Sequence, residues 1–115
     1  MKKITFLVFI TCLFFFGCKE KTDWSKVREL HSTQSLLSEI KERDDVAKAI
    51  ISDAGGLCVA MYINADKAEY VAPYFLKMAK NKNVNIEFCK IVSALDYKTD
   101  GTYMSGTKLA FKNQE

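Results

Sequence analysis

Leu57 to Ile63 is an uninterrupted apolar run, Leu-Cys-Val-Ala-Met-Tyr-Ile, fenced by Gly55-Gly56 before it and Asn64 after it. A strand with apolar side chains on both faces is buried on both faces, which is the pattern of a parallel sheet. The next segment places Ala68, Val71, Ala72, Phe75, Met78 and Ala79 on one side of a helix over Ala65 to Lys80, with Asp66, Lys67, Glu69, Lys77 and Lys80 mostly elsewhere. Pro73 interrupts that helix; it lacks an N–H and crowds the carbonyl of Glu69, so a kink is expected there. Asn81-Lys82-Asn83 makes a turn, and Val84, Ile86 and Phe88 then alternate with Asn85 and Glu87 ahead of Cys89-Lys90-Ile91-Val92. Strand, helix and strand over about 36 residues predict a βαβ unit and an α/β fold.

Upstream, Ser32, Thr33 and Ser35 offer N-cap oxygens ahead of Leu36, Leu37 and Ile40, and Ala47, Ile50, Ile51 and Ala54 follow at near-helical spacing. A gap at Arg43 and Asp44 leaves this as one long helix or two shorter ones, ended by Gly55-Gly56. Trp24 to His31 carries only Val27 and Leu30 as aliphatics and is expected as a short edge strand. Ser93 to Ser105 is polar and turn-rich, and a final strand pattern falls at Thr107, Leu109 and Phe111.

The amino terminus has a different character. Met1-Lys2-Lys3 precedes Ile4 to Phe16, an apolar stretch too short at about 20 Å of helix to cross about 30 Å of hydrocarbon, and reads as an export signal. It ends in Phe15-Phe16-Gly17-Cys18 and turns polar at Lys19-Glu20-Lys21. That junction resembles a bacterial lipobox, which implies that Cys18 is lipidated with diacylglycerol and an amide-linked chain such as palmitate, enough buried CH₂ groups for stable membrane anchoring. The chain then divides into a lipoprotein signal peptide over 1–17, a tether over 18–26 and one folded domain over 27–115. The resemblance implies a location in the bacterial cell envelope, anchored to membrane, with the domain in the periplasm or on the cell surface. Removing Lys2 and Lys3 from the 17 basic residues leaves 15 against 14 acidic ones, a balance that gives nucleic acid no particular attraction.

Within the domain, Tyr70-Val71-Ala72-Pro73-Tyr74-Phe75-Leu76 resembles the Ala-Pro turn in the active-site helix of the thioredoxin-like family, and Gly106-Thr107-Lys108-Leu109-Ala110-Phe111-Lys112-Asn113 resembles that family's cis-proline, threonine and terminal-strand segment. The resemblance implies a thioredoxin-like three-layer α/β fold, incomplete at its C-terminal end because a further strand and helix would follow Asn113. It also requires the strand of Cys58 to lie between those of Cys89 and Leu109. Counting back from Ala72-Pro73, the redox-loop positions are occupied by Ala65, Asp66, Lys67 and Ala68, with alanine at both cysteine positions; Gly106 matches the cis-proline and Val59 the buried acid. Dithiol exchange needs an accessible thiolate and a resolving thiol, and alanine supplies neither.

Cys58 and Cys89 remain in the domain, and an exported location permits a disulfide. On the thioredoxin-like layout both point away from the kinked helix on adjacent strands, as buried thiols or as a bridged pair. His31 stands alone, without the flanking Cys or carboxylates a metal site needs, and no cofactor or metal is expected. These features predict a noncatalytic thioredoxin-like envelope lipoprotein that binds or scaffolds a protein partner or a second copy of itself. Its expected contact surface is the loop from Asn64 to Ala68 together with the exposed final strand. Two alternatives stand beside it: a thiol-disulfide oxidoreductase using Cys58 and Cys89, and an unrelated immunity or exclusion lipoprotein.

Overall fold

The structure is a computed structural model and describes residues 22–114. Asp23 opens the first helix, α1 (Trp24–Glu29): its carboxylate accepts from the Ser25 amide at 3.2 Å and from the Ser25 hydroxyl at 2.6 Å. The expected edge strand over Trp24 to His31 is therefore a capped helical turn. Leu30 ends α1 and begins α2 (His31–Lys41), so Ser32, Thr33 and Ser35 lie inside the helix rather than capping it. Thr33, Leu36 and Ile40 form the buried stripe of α2.

The gap at Arg43 and Asp44 is where α2 stops. Arg43 grips Asp45 with two hydrogen bonds of 3.0 Å, and its guanidinium lies 5.5 Å above the Phe75 ring. The hydrogen-bonded Arg43 guanidinium holds the Asp45 carboxyl below the usual carboxylate range. The chain then enters β1 (Val46–Ile51), not a continued helix. Ala47, Ile50 and Ile51 fit a helical stripe, yet in the strand Ala49 and Ile51 bury against the helices while Ile50 turns to the other face. Gly55-Gly56 ends no helix; it leads the turn from β1 into β2 (Gly56–Met61), with the Ser52 amide donating to the Gly56 carbonyl at 2.9 Å. Every residue of β2 is buried.

Asn64 caps α3 (Ala65–Asn81) by accepting from the Lys67 amide at 2.8 Å, and the helix runs through Pro73. Its buried face is Ala68, Val71, Ala72, Phe75, Leu76 and Ala79. Val84 and Ile86 are buried as expected but belong to a loop; β3 starts only at Phe88 (Phe88–Ser93). A small hairpin, β4 (Lys98–Asp100) and β5 (Tyr103–Ser105), precedes β6 (Lys108–Asn113).

The main sheet has the order β1-β2-β3-β6. Only β2 and β3 are parallel, joined through α3 as the βαβ reading requires; β1 and β6 pair antiparallel on either side. The strand of Cys89 thus lies between those of Cys58 and Leu109, the reverse of the thioredoxin-like requirement. The thioredoxin-like assignment is overturned by this order, and with it the three-layer layout and the expectation that a strand and helix are missing after Asn113. Helices α2 and α3 cover one face, where the main core gathers around Phe75, Leu36, Ile40, Leu57, Val59 and Ile91. The opposite face holds a smaller cluster of Cys58, Ala60, Val92, Ala94 and Met104, the last supplied by the β4-β5 hairpin lying over it.

Candidate functional site

The hairpin covers the outer face only in part. At its base the Asp96 carboxylate accepts from both the Thr107 hydroxyl and the Thr107 amide, and Thr107 holds the Asp96 carboxyl below its ordinary range. Gly106 sits at that base with φ +151°, where an added Cβ would stand 3.0 Å from the Tyr97 backbone. This is the role of the position matched earlier to a cis-proline: it returns the chain from the hairpin to β6. At the other end Thr102 donates to Asp53 at 2.8 Å, and Arg28 reaches the same carboxylate at 2.9 Å.

Beside the hairpin the outer face carries a row of rings. In the β2–β3 register Gly56 is opposite Phe88, and a Cβ on Gly56 would fall 2.0 Å from the Phe88 ring; the missing side chain is what lets this ring lie across β2. Phe111 of β6 stacks on Phe88, with centroids 4.9 Å apart, and remains 46% exposed. Tyr103, on the hairpin, is 60% exposed. Lysines sit over both rings: Lys108 Nζ is 5.8 Å from the Phe111 centroid, and Lys90 Nζ is 5.3 Å from the Tyr103 centroid while donating to the Met104 carbonyl at 2.9 Å. An amphipathic, cationic aromatic surface of this kind suits contact with another macromolecule.

The cysteines behave differently from the layout expected of them. Leu57 pairs with Cys89, and Cys58 with Lys90, so the two thiols are offset by one residue and project from opposite faces. Cys89 joins the helix-side core and Cys58 the outer cluster; both are free and buried. Burial pushes both thiols up, Cys89 the further, and the nearby Lys90 charge only partly offsets this at Cys58. Ala65, Asp66 and Lys67 stand exposed in the first turn of α3, whereas Ala68 is buried beneath it. The Asn64 to Ala68 segment shares one end of the sheet with the start of β6, since Lys108 pairs with Val92 near the end of β3. His31 is exposed at the start of α2. Among the described residues no group of His, Cys, Asp and Glu is arranged to hold a metal ion, and no helix is long and apolar enough to cross a membrane. Cys18 and the signal segment over 1–17 lie outside the described residues.

A family model described as "Hypothetical protein" matches residues 23–113. The chain belongs to that family. No curated protein matches it. Among solved structures, it is similar to a protein from Parabacteroides distasonis with an alpha-lytic protease prodomain-like fold: the TM-score is 0.62 at 22% identity, covering 70% of this chain and 96% of the other. At that identity the likeness speaks for the fold alone, and it agrees with the strand order in replacing the thioredoxin-like assignment. The rings on the outer face are not legible in the sequence, because Gly56 and Phe88 meet only through the β2–β3 register.

Proposed function

We propose that the family member described here is a noncatalytic binding module of the bacterial cell envelope, tethered through lipid on Cys18, that engages a protein partner with the outer sheet face and the last strand. The observation that carries this reading is the Phe88–Phe111 stack, whose Phe111 ring stays 46% exposed on a face the hairpin leaves partly uncovered. Apolar rings rimmed by lysines stabilise contacts by burial while the charges select the partner. The tether rests on the Gly17-Cys18 junction after an apolar leader.

The test uses the full chain in envelope-bearing cells, with a photoreactive phenylalanine analogue at position 111 or, as a control, at Gln34 on the exposed side of α2. Irradiation is expected to give a discrete protein adduct from position 111 and none from position 34, in a membrane fraction that Cys18→Ser empties. Equal adducts from both positions, or none from 111, contradict the binding role; an unchanged membrane fraction in Cys18→Ser contradicts the tether.

A further inference from the structure

Strand β6 closes the sheet on one side, and among the described residues nothing pairs with its outer edge. The register fixes which groups that edge offers. The Gln114 amide donates to the Glu87 carbonyl at 2.9 Å, and Lys112 and Ala110 stand opposite Cys89 and Ile91 at the same two-residue step. The amides of Ala110 and Lys112 therefore face β3, whereas Phe111 and Asn113 turn their N–H and C=O groups outward.

The two sides of this edge differ chemically. On the helix side, a groove between α3 and β6 passes Pro73 and Lys112, and its far end brings Lys77 and Lys80 of α3 toward Lys112. Among the described residues that line this path, Glu69 at the near end is the one carboxylate. The outer side presents the Phe111 ring with Lys108 above it. Glu87, although next to β3, directs its carboxylate toward the Gly55 turn instead. Such an edge repels a second copy of itself, since pairing two of them brings the lysines of each against those of the other.

Resting on the binding role proposed above, we infer that the outer edge of β6 accepts an extended segment of a partner protein as a fifth strand. That segment carries acidic residues on the side facing Lys77, Lys80 and Lys112 and apolar residues on the side facing Phe111. A strand alternates its side chains between faces, so a segment with acidic and apolar residues at alternate positions satisfies both sides at once.

The probe is an eight-residue peptide of alternating glutamate and valine bearing a fluorophore, added to the purified full chain in detergent and read by fluorescence anisotropy. Three comparisons accompany it: a lysine-valine peptide, the glutamate-valine peptide N-methylated at alternate backbone nitrogens, and the Lys77→Glu/Lys112→Glu variant. Binding by the glutamate-valine peptide is expected, with at least tenfold loss in each comparison. The variant's circular dichroism and thermal midpoint are checked for an intact fold, and if it is unfolded Lys80→Glu replaces it.

Equal binding of the N-methylated peptide overturns strand addition, and equal binding of the lysine-valine peptide overturns the charge assignment. No binding of the glutamate-valine peptide overturns the inference, as does a dimer in sedimentation that Phe111→Asp dissociates, because the edge is then taken by a second copy. A position-111 photoadduct together with any of these leaves the binding role standing and removes only this inference. Loss of the photoadduct removes the binding role itself.

Discussion

Gly56→Ala is expected to destabilise the domain by about 1–3 kcal/mol, the range for forcing an extra methyl into a filled space. The added Cβ would lie 2.0 to 2.5 Å from three carbons of the Phe88 ring, so the ring must swing off β2 and give up its stack with Phe111. The backbone of Gly56 itself asks for no glycine, because it sits in the regular strand β2. In a Phe88→Ala background the same substitution should therefore reverse sign and stabilise by about 0.5 kcal/mol, through the restricted unfolded chain. Urea unfolding of the four members of this cycle measures the coupling. Equal costs of Gly56→Ala in both backgrounds would contradict the packing described. Loss of the stack should also weaken the binding proposed at Phe111.

Phe75→Ala carries the larger penalty, about 3–5 kcal/mol. Phe75 is fully buried and is the largest such side chain in the core, set from α3 against the helix-side face of the sheet. Its ring also seats the Arg43 guanidinium that holds Asp45 at the α2–β1 turn, so truncation loosens the turn as well as opening a cavity. A domain of this size has on the order of 5–10 kcal/mol of stability, so the variant should lose about a third of it or more. Its thermal midpoint should fall by at least about 12 °C. Phe75→Leu keeps most of the buried volume and should cost less than half as much. Calorimetry of the two variants separates a core role from a surface one, which would leave both midpoints within a few degrees of the parent.

The parts legible in the sequence were those written in local pattern. The apolar run at Leu57, the helix carrying Phe75 and Pro73, and the strand at Cys89 each declare themselves within one element, and their succession gave the βαβ unit. The α/β class follows from them. The misreadings have physical causes. Ala47, Ile50 and Ile51 fit helical spacing, whereas β1 sends Ile50 and Ile51 to opposite faces and a bulge between Val46 and Lys48 brings Ala47 to the side of Ile50; the Arg43–Asp45 pair marks the break between α2 and β1. Trp24 to Glu29 is helical because Asp23 caps it, a signal outweighed by its sparse aliphatics. Strand order is a property of the whole sheet, so the thioredoxin-like strings around Pro73 and Gly106 could match while the topology did not. The faces of Cys58 and Cys89 depended on a register that offsets them by one residue, enough to send one thiol to each side. The last strand was expected to be exposed; the ring of Phe88 laid over Gly56 required the pairing of two strands to be known.

Strand β6 ends the sheet with its outer backbone groups open. Amide hydrogen exchange of the full chain, resolved by NMR at β6, addresses it most directly. Slow exchange is predicted at Ala110 and Lys112, whose amides face β3, and fast exchange at Phe111 and Asn113. Equal protection at all four amides would contradict the account, because that edge would already be filled.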